Sequence, residues 1–136
     1  MRILILEDDP FIALDLQMIA ESEGHDARVC GTIADASKHL DAVDIALLDV
    51  NLPDGDSYDL AQVLIESGVT PVFVSGSRRS ELPAALRQAR FIAKPFSETA
   101  IIEALRSTAV AAPRPPQPRA SSRYPSNGLH GQLGAQ

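Results

Sequence analysis

Asp44-Ile45-Ala46-Leu47-Leu48-Asp49-Val50-Asn51-Leu52-Pro53-Asp54-Gly55 is the stretch whose reading decides the fold. Its four consecutive apolar residues are too few for a helix. They are apolar at both parities, as in a strand buried on both faces of a parallel sheet. Asp49 ends the run, and Asn-Leu-Pro-Asp-Gly is dense turn chemistry. An amphipathic stretch over residues 57–66 follows. The segment therefore predicts a strand, a turn and a helix, with a carboxylate at the carboxyl end of the strand.

Working outward, the same unit recurs. Short apolar runs at 2–6, 27–30, 71–74 and 90–93 join the one at 44–48, and helical patterns fall near 10–22, 33–40, 80–86 and 97–111. Five such units predict an α/β fold, doubly wound, with a five-stranded parallel sheet and helices on both faces. Asp9 before Pro10 is an N-cap signal, and Gly24 and Gly68 stand where helices should end. Pro83 inside the fourth helical pattern predicts a short fourth helix, because proline is tolerated only in a first turn.

The chain has 136 residues, 45% hydrophobic and without Trp, so one aliphatic core is expected. Residues 1–112 form the expected domain. Residues 113–136 hold five of the ten prolines, three arginines and no acid, and read as a disordered tail. Removing that tail's +3 from the net charge of −6 leaves −9 on residues 1–112. So acidic a body should repel nucleic-acid phosphates, and direct DNA or RNA binding is not expected. A single cysteine, Cys30, excludes an internal disulfide and reads as a small core residue. The absence of a leader-like or membrane-length apolar run leads us to expect a cytoplasmic location.

In open α/β sheets, sites form at the carboxyl ends of the strands. The residues there are Glu7-Asp8-Asp9 after the first strand, Asp49 after the third, Ser75 after the fourth and Lys94-Pro95 after the fifth. Converging carboxylates repel one another unless a cation sits among them, and hard oxygen donors suit magnesium. A metal, an ammonium, a hydroxyl and a carboxylate nucleophile are the parts phosphoryl transfer needs.

Ile-Leu-Ile-Leu-Glu-Asp-Asp, Leu-Leu-Asp-Val-Asn-Leu-Pro-Asp-Gly, Val-Phe-Val-Ser-Gly and Phe-Ile-Ala-Lys-Pro-Phe, in this order, resemble the response-regulator receiver family over residues 1 to 112. The resemblance implies the flavodoxin-like strand order 2-1-3-4-5 and Asp49 as phosphoacceptor. It makes Asp8 a direct magnesium ligand, Asp49 a further ligand, Glu7 a ligand largely through water, and the Asn51 carbonyl the completion of the metal site. Ser75 corresponds to the switch hydroxyl, Phe91 to the aromatic switch, and Lys94 to the site lysine, expected before a cis Pro95. It also implies a histidine kinase or histidine phosphotransfer protein as phosphodonor and an unknown downstream protein as target. The hydroxyl position is Ser rather than the commoner Thr, and only 15 residues separate Ser75 from Phe91. Both features are similar to a single-domain subgroup of the family in which the fourth helix is mobile, and no output domain is expected.

The main alternative is a metal-dependent aspartyl-phosphate phosphohydrolase. Such enzymes need a second acid two residues after the nucleophile, where this chain has Asn51. On the first helix, Ile12, Leu16, Ile19 and Ala20 form the expected core stripe. Phe11, Leu14 and Met18 form a second apolar stripe, expected to be exposed and to serve as a docking ridge for the kinase.

Overall fold

The computed structural model describes residues 1–109. Elements follow as β1 (Arg2–Leu6), α1 (Pro10–Ser22), β2 (Asp26–Cys30), α2 (Ile33–Ala36), β3 (Ile45–Leu48), β4 (Asn51–Leu52), β5 (Gly55–Asp56), α3 (Tyr58–Glu66), β6 (Thr70–Ser75), β7 (Arg90–Ala93) and α4 (Glu98–Ala109). Five strands make one parallel sheet in the order β2-β1-β3-β6-β7, the expected 2-1-3-4-5 counted over that sheet. Asn51–Leu52 and Gly55–Asp56 pair as a small antiparallel hairpin where only a turn was expected.

Alternation along each strand divides the core. Leu4, Leu6, Leu48 and Phe73 face one layer with Leu60 and Leu64 of α3. Ile3, Ile5, Ile45, Leu47 and Val72 face the other with Leu16 and Ile19 of α1 and Ile101 and Leu105 of α4. Burying one such side chain fully is worth about 1.5–3 kcal/mol. Both layers converge on β1 and β3, the strands whose carboxyl ends carry the acids.

Two helical expectations are corrected. The helix expected over 33–40 stops at Ala36, and the chain goes on in tighter bonds, Lys38 N–H to the Asp35 carbonyl and His39 N–H to the Ala36 carbonyl. The short fourth helix expected over 80–86 is two separate 3-10 turns, Arg79–Glu81 and Ala84–Leu86. Pro83 is the cause. A residue before proline is pushed out of the helical region, and Leu82 lies at φ −72°, ψ 148°. Leu82 and Leu86 are nevertheless buried and anchor both turns on the α3 side of the sheet.

Other boundaries match the local chemistry. The Asp9 carboxylate accepts from the Phe11 and Ile12 N–H groups and caps α1. Gly24, at φ +87°, ends α1 in the left-handed conformation, where its N–H donates to the Glu21 carbonyl. On α1, Leu16, Ile19 and Ala20 are buried as expected, Ile12 only half-buried, and Ala13 joins them. Among the described residues no helix is long and apolar enough to cross a membrane. The tail expected at 113–136, and the expected end of the last helix at 111, lie outside the described residues.

Candidate functional site

The carboxyl ends of β1 and β3 are neighbours in the sheet, so Glu7 and Asp49 leave it side by side. Asp49 N–H donates to the Leu6 carbonyl at 2.9 Å, extending the ladder by one residue. Glu7, Asp8 and Asp49 each place a carboxylate oxygen within 4.8 Å of the other two. Lys94 enters from the end of β7, held by its N–H to the Ser75 carbonyl at 2.9 Å. Its Nζ lies 2.6 Å from Glu7 Oε1 and 3.1 Å from Asp49 Oδ2. The Lys94–Pro95 peptide bond is cis.

Burial is uneven across this cluster. Glu7 is buried, Asp8 is exposed, and the Asp49 side chain is largely covered. Removal from water pushes the Glu7 carboxyl above its ordinary value, against the Lys94 and Asp9 hydrogen bonds, and the Asp49 charge adds to the rise. For Lys94, burial disfavours the ammonium, but hydrogen bonds to Glu7 and Asp49 prevail and its pKa is raised. Three carboxyl groups against one ammonium make an acid-rich oxygen donor set that fits a hard divalent cation such as magnesium.

Each Asp49 oxygen already has one donor. Oδ1 accepts from Val50 N–H at 2.7 Å and Oδ2 from Lys94. Lone pairs remain on both, so the carboxylate is oriented without being saturated. Ser75, at the end of β6, is buried, and its hydroxyl oxygen accepts from Ser77 N–H at 3.1 Å. Asn51 is exposed, its side-chain amide 3.3 Å from the Ser77 hydroxyl. Phe91 is half-buried on β7 against the α3 layer, with the Arg79 guanidinium 5.8 Å from its ring centroid. Phe11, Leu14 and Met18 lie outside the carboxylate cluster, on the outer face of α1, and are 82%, 53% and 59% exposed.

Three contributors went unread in the sequence. Ser57, which in the sequence merely opens the 57–66 amphipathic stretch, is buried and donates its hydroxyl to the Asp49 carbonyl at 2.6 Å. Asp54, a turn residue by sequence, accepts from the Ile33 and Ala34 N–H groups and ties the loop after Asp49 to α2. Those two hydrogen bonds hold its carboxyl below its ordinary value. Arg79 donates to the Arg87 and Ala89 carbonyls and so fixes the approach to Phe91. None carries a local pattern, since each partner is distant in sequence or is a main-chain group.

Comparison with known proteins agrees with this geometry. Residues 3–106 match the response regulator receiver domain family. The transcriptional regulatory protein VxrB of Vibrio cholerae is 30% identical over 115 residues, which span 77% of this chain and 44% of that protein. The chain spans about half the length of the curated relatives it matches. The non-phosphorylated HemR receiver domain of Leptospira biflexa superimposes with a TM-score of 0.72 at 27% identity, covering 85% of this chain and 98% of that one. The response regulator TrrA of Thermotoga maritima, solved in complex with Mg2+ and BeF, shares the fold with a TM-score of 0.70 at 18% identity, covering 79% and 97%. The chain belongs to the response regulator receiver domain family. It thus carries the phosphoacceptor module of two-component phosphorelay signalling.

Proposed function

We propose that this chain acts as a response-regulator receiver in the cytoplasm, accepting a phosphoryl group on Asp49 from a histidine kinase or histidine phosphotransfer protein with magnesium bound. The observation that carries this reading is the Lys94 ammonium bridging Glu7 and Asp49 inside the three-carboxylate cluster. An Asp49 oxygen attacks phosphorus, an O–P bond forms as the donor's P–N bond breaks, and the electron pair leaves on the imidazole nitrogen. Lys94 then offsets charge on the phosphoryl oxygens.

Asp8 and Asp49 are the direct carboxylate ligands for the metal, and the Asn51 carbonyl completes the set. Both Glu7 oxygens are already engaged, by Lys94 and by Asp9 N–H, which favours its acting through water. Magnesium would supply charge neutralisation on the incoming phosphoryl group. Ser75 and Phe91 are the proposed switch residues; Ser75 ends β6, its carbonyl bonded to Lys94 N–H, and Phe91 lies on the neighbouring β7. The Phe11, Leu14 and Met18 ridge, which begins two residues after Asp9, is the proposed kinase-docking surface. The phosphorylated form acts through a downstream protein and without direct nucleic-acid contact. Acetyl phosphate with magnesium should add one phosphate by intact mass, lost in Asp49→Asn and with a chelator. Labelling that persists in Asp49→Asn refutes the assignment.

A further inference from the structure

Ser57 stands at the N-cap of α3, where a serine hydroxyl ordinarily accepts from a main-chain N–H of the first turn. Here it makes no such bond. The neighbouring Asp56 carboxylate accepts from Tyr58 N–H at 3.2 Å instead. The Ser57 hydroxyl turns inward and meets the Asp49 carbonyl oxygen at 2.6 Å, with the residue wholly buried. A carbonyl can only accept, so the direction of this bond is unambiguous. Ser57 N–H also donates to the Val50 carbonyl at 3.0 Å. One residue therefore holds two successive peptide groups, 49–50 and 50–51.

The first of these is a rigid plate. Ser57 grips its C=O end, and its N–H end, on Val50, donates to Asp49 Oδ1 at 2.7 Å. Fixing the carbonyl thus aims the N–H that sets the carboxylate. The second plate leads to Asn51. A favourable local cap has been given up for this arrangement, the kind of local exception that marks a functional position.

We propose that Ser57 is a positioning residue for phosphoryl transfer: by holding the 49–50 peptide plane it sets the orientation of the Asp49 carboxylate. This rests on Asp49 being the phosphoacceptor. Small displacements of a reacting group are costly in rate, so loss of the hydroxyl slows labelling of Asp49 by roughly tenfold.

The test uses the full chain, phosphoramidate and magnesium chloride, with labelling followed by intact mass at a temperature where circular dichroism shows each protein folded. Ser57→Ala removes the donor, and Ser57→Cys keeps the shape with a much poorer one. Both are expected to be labelled about tenfold more slowly. Carbon-13 and nitrogen-15 spectra should show the Asp49 carbonyl and carboxylate and the Val50 amide displaced, which a purely structural role in α3 would not produce. Labelling within twofold of wild type in either folded variant, or unmoved Asp49 and Val50 resonances, overturns the proposal. Asp49→Asn, run alongside, separates the two failures: if it is still labelled, the phosphoacceptor reading fails, whatever Ser57 does.

Discussion

Replacing Lys94 with Met keeps most of the apolar stem and removes the charge between Glu7 and Asp49. The side chains of Lys94, Glu7 and Asp49 are 18%, 2% and 11% exposed, so water cannot fully take the ammonium's place. At an effective dielectric near 20, each contact at this range is worth about 5 kcal/mol of bare attraction, much of it offset by desolvation. Breaking a buried pair from one side typically costs about 3–5 kcal/mol. The fold has one escape, which is to protonate Glu7. From an ordinary value of 4.5, that proton costs about 3.4 kcal/mol at pH 7 and about 1.4 kcal/mol at pH 5.5. The expected loss in Lys94→Met is therefore roughly 3 kcal/mol at pH 7 without metal. The pH trend has a definite sign. A carboxyl whose pKa is raised by folding stabilises the fold below its ordinary value and loses that contribution as pH rises through the raised one. The deficit against wild type should then shrink to roughly 1–1.5 kcal/mol at pH 5.5. Millimolar magnesium at pH 7 should also recover part of it. Urea unfolding in a chelator at both pH values measures this. A deficit below about 1 kcal/mol at pH 7, or one equal at both pH values, would refute the charge balance drawn here.

Leu14→Glu with Met18→Glu should leave the melting temperature and acetyl-phosphate labelling near wild type, since both side chains are exposed. Transfer from the kinase should slow at least tenfold, about 1.4 kcal/mol of lost interaction, and an unchanged transfer rate would remove the ridge from kinase recognition. Cys30 is buried, and burial, with Asp35 adding, pushes its thiol up to about 12. It should resist an aromatic disulfide reagent at pH 8 until urea unfolds the chain, and rapid native labelling would contradict its place in the core.

The centre of the sheet was legible because β1, β3 and β6 are apolar at both parities, whereas the edge strand β2 carries Asp26 and Arg28. The 44–48 run became Ile45–Leu48, and 27–30 and 71–74 each grew by one or two residues. The acids and Lys94 were legible for the same reason, since a strand's carboxyl end can be found once the strand is known. Helices on the α3 side were harder to read. Leu40 is buried and fits a helical stripe, yet it reaches the core from a bent chain beyond Ala36. Leu82 and Leu86 likewise keep helical spacing across a break forced by Pro83. Apolar spacing reports which residues face the core. It does not report the main-chain path that carries them there.

That distinction also explains what the site kept hidden. Glu7, Asp8, Asp49 and Lys94 announce themselves by charge at strand ends, but their orientation is set by neutral or main-chain partners. Ser57 fixes the Asp49 carbonyl, and Val50 N–H fixes its carboxylate. Asp54 fastens the same loop to α2 through two main-chain N–H groups. Residues 49–57 therefore form a closed loop whose ends are bonded to each other and whose tip is bonded to a neighbouring helix. A carboxylate on a free loop would sample several rotamers, each needing reorganisation before an in-line attack. Within this closed loop the reorganisation is met on folding, so in the proposed phosphoryl transfer the cost falls on stability rather than on each turnover.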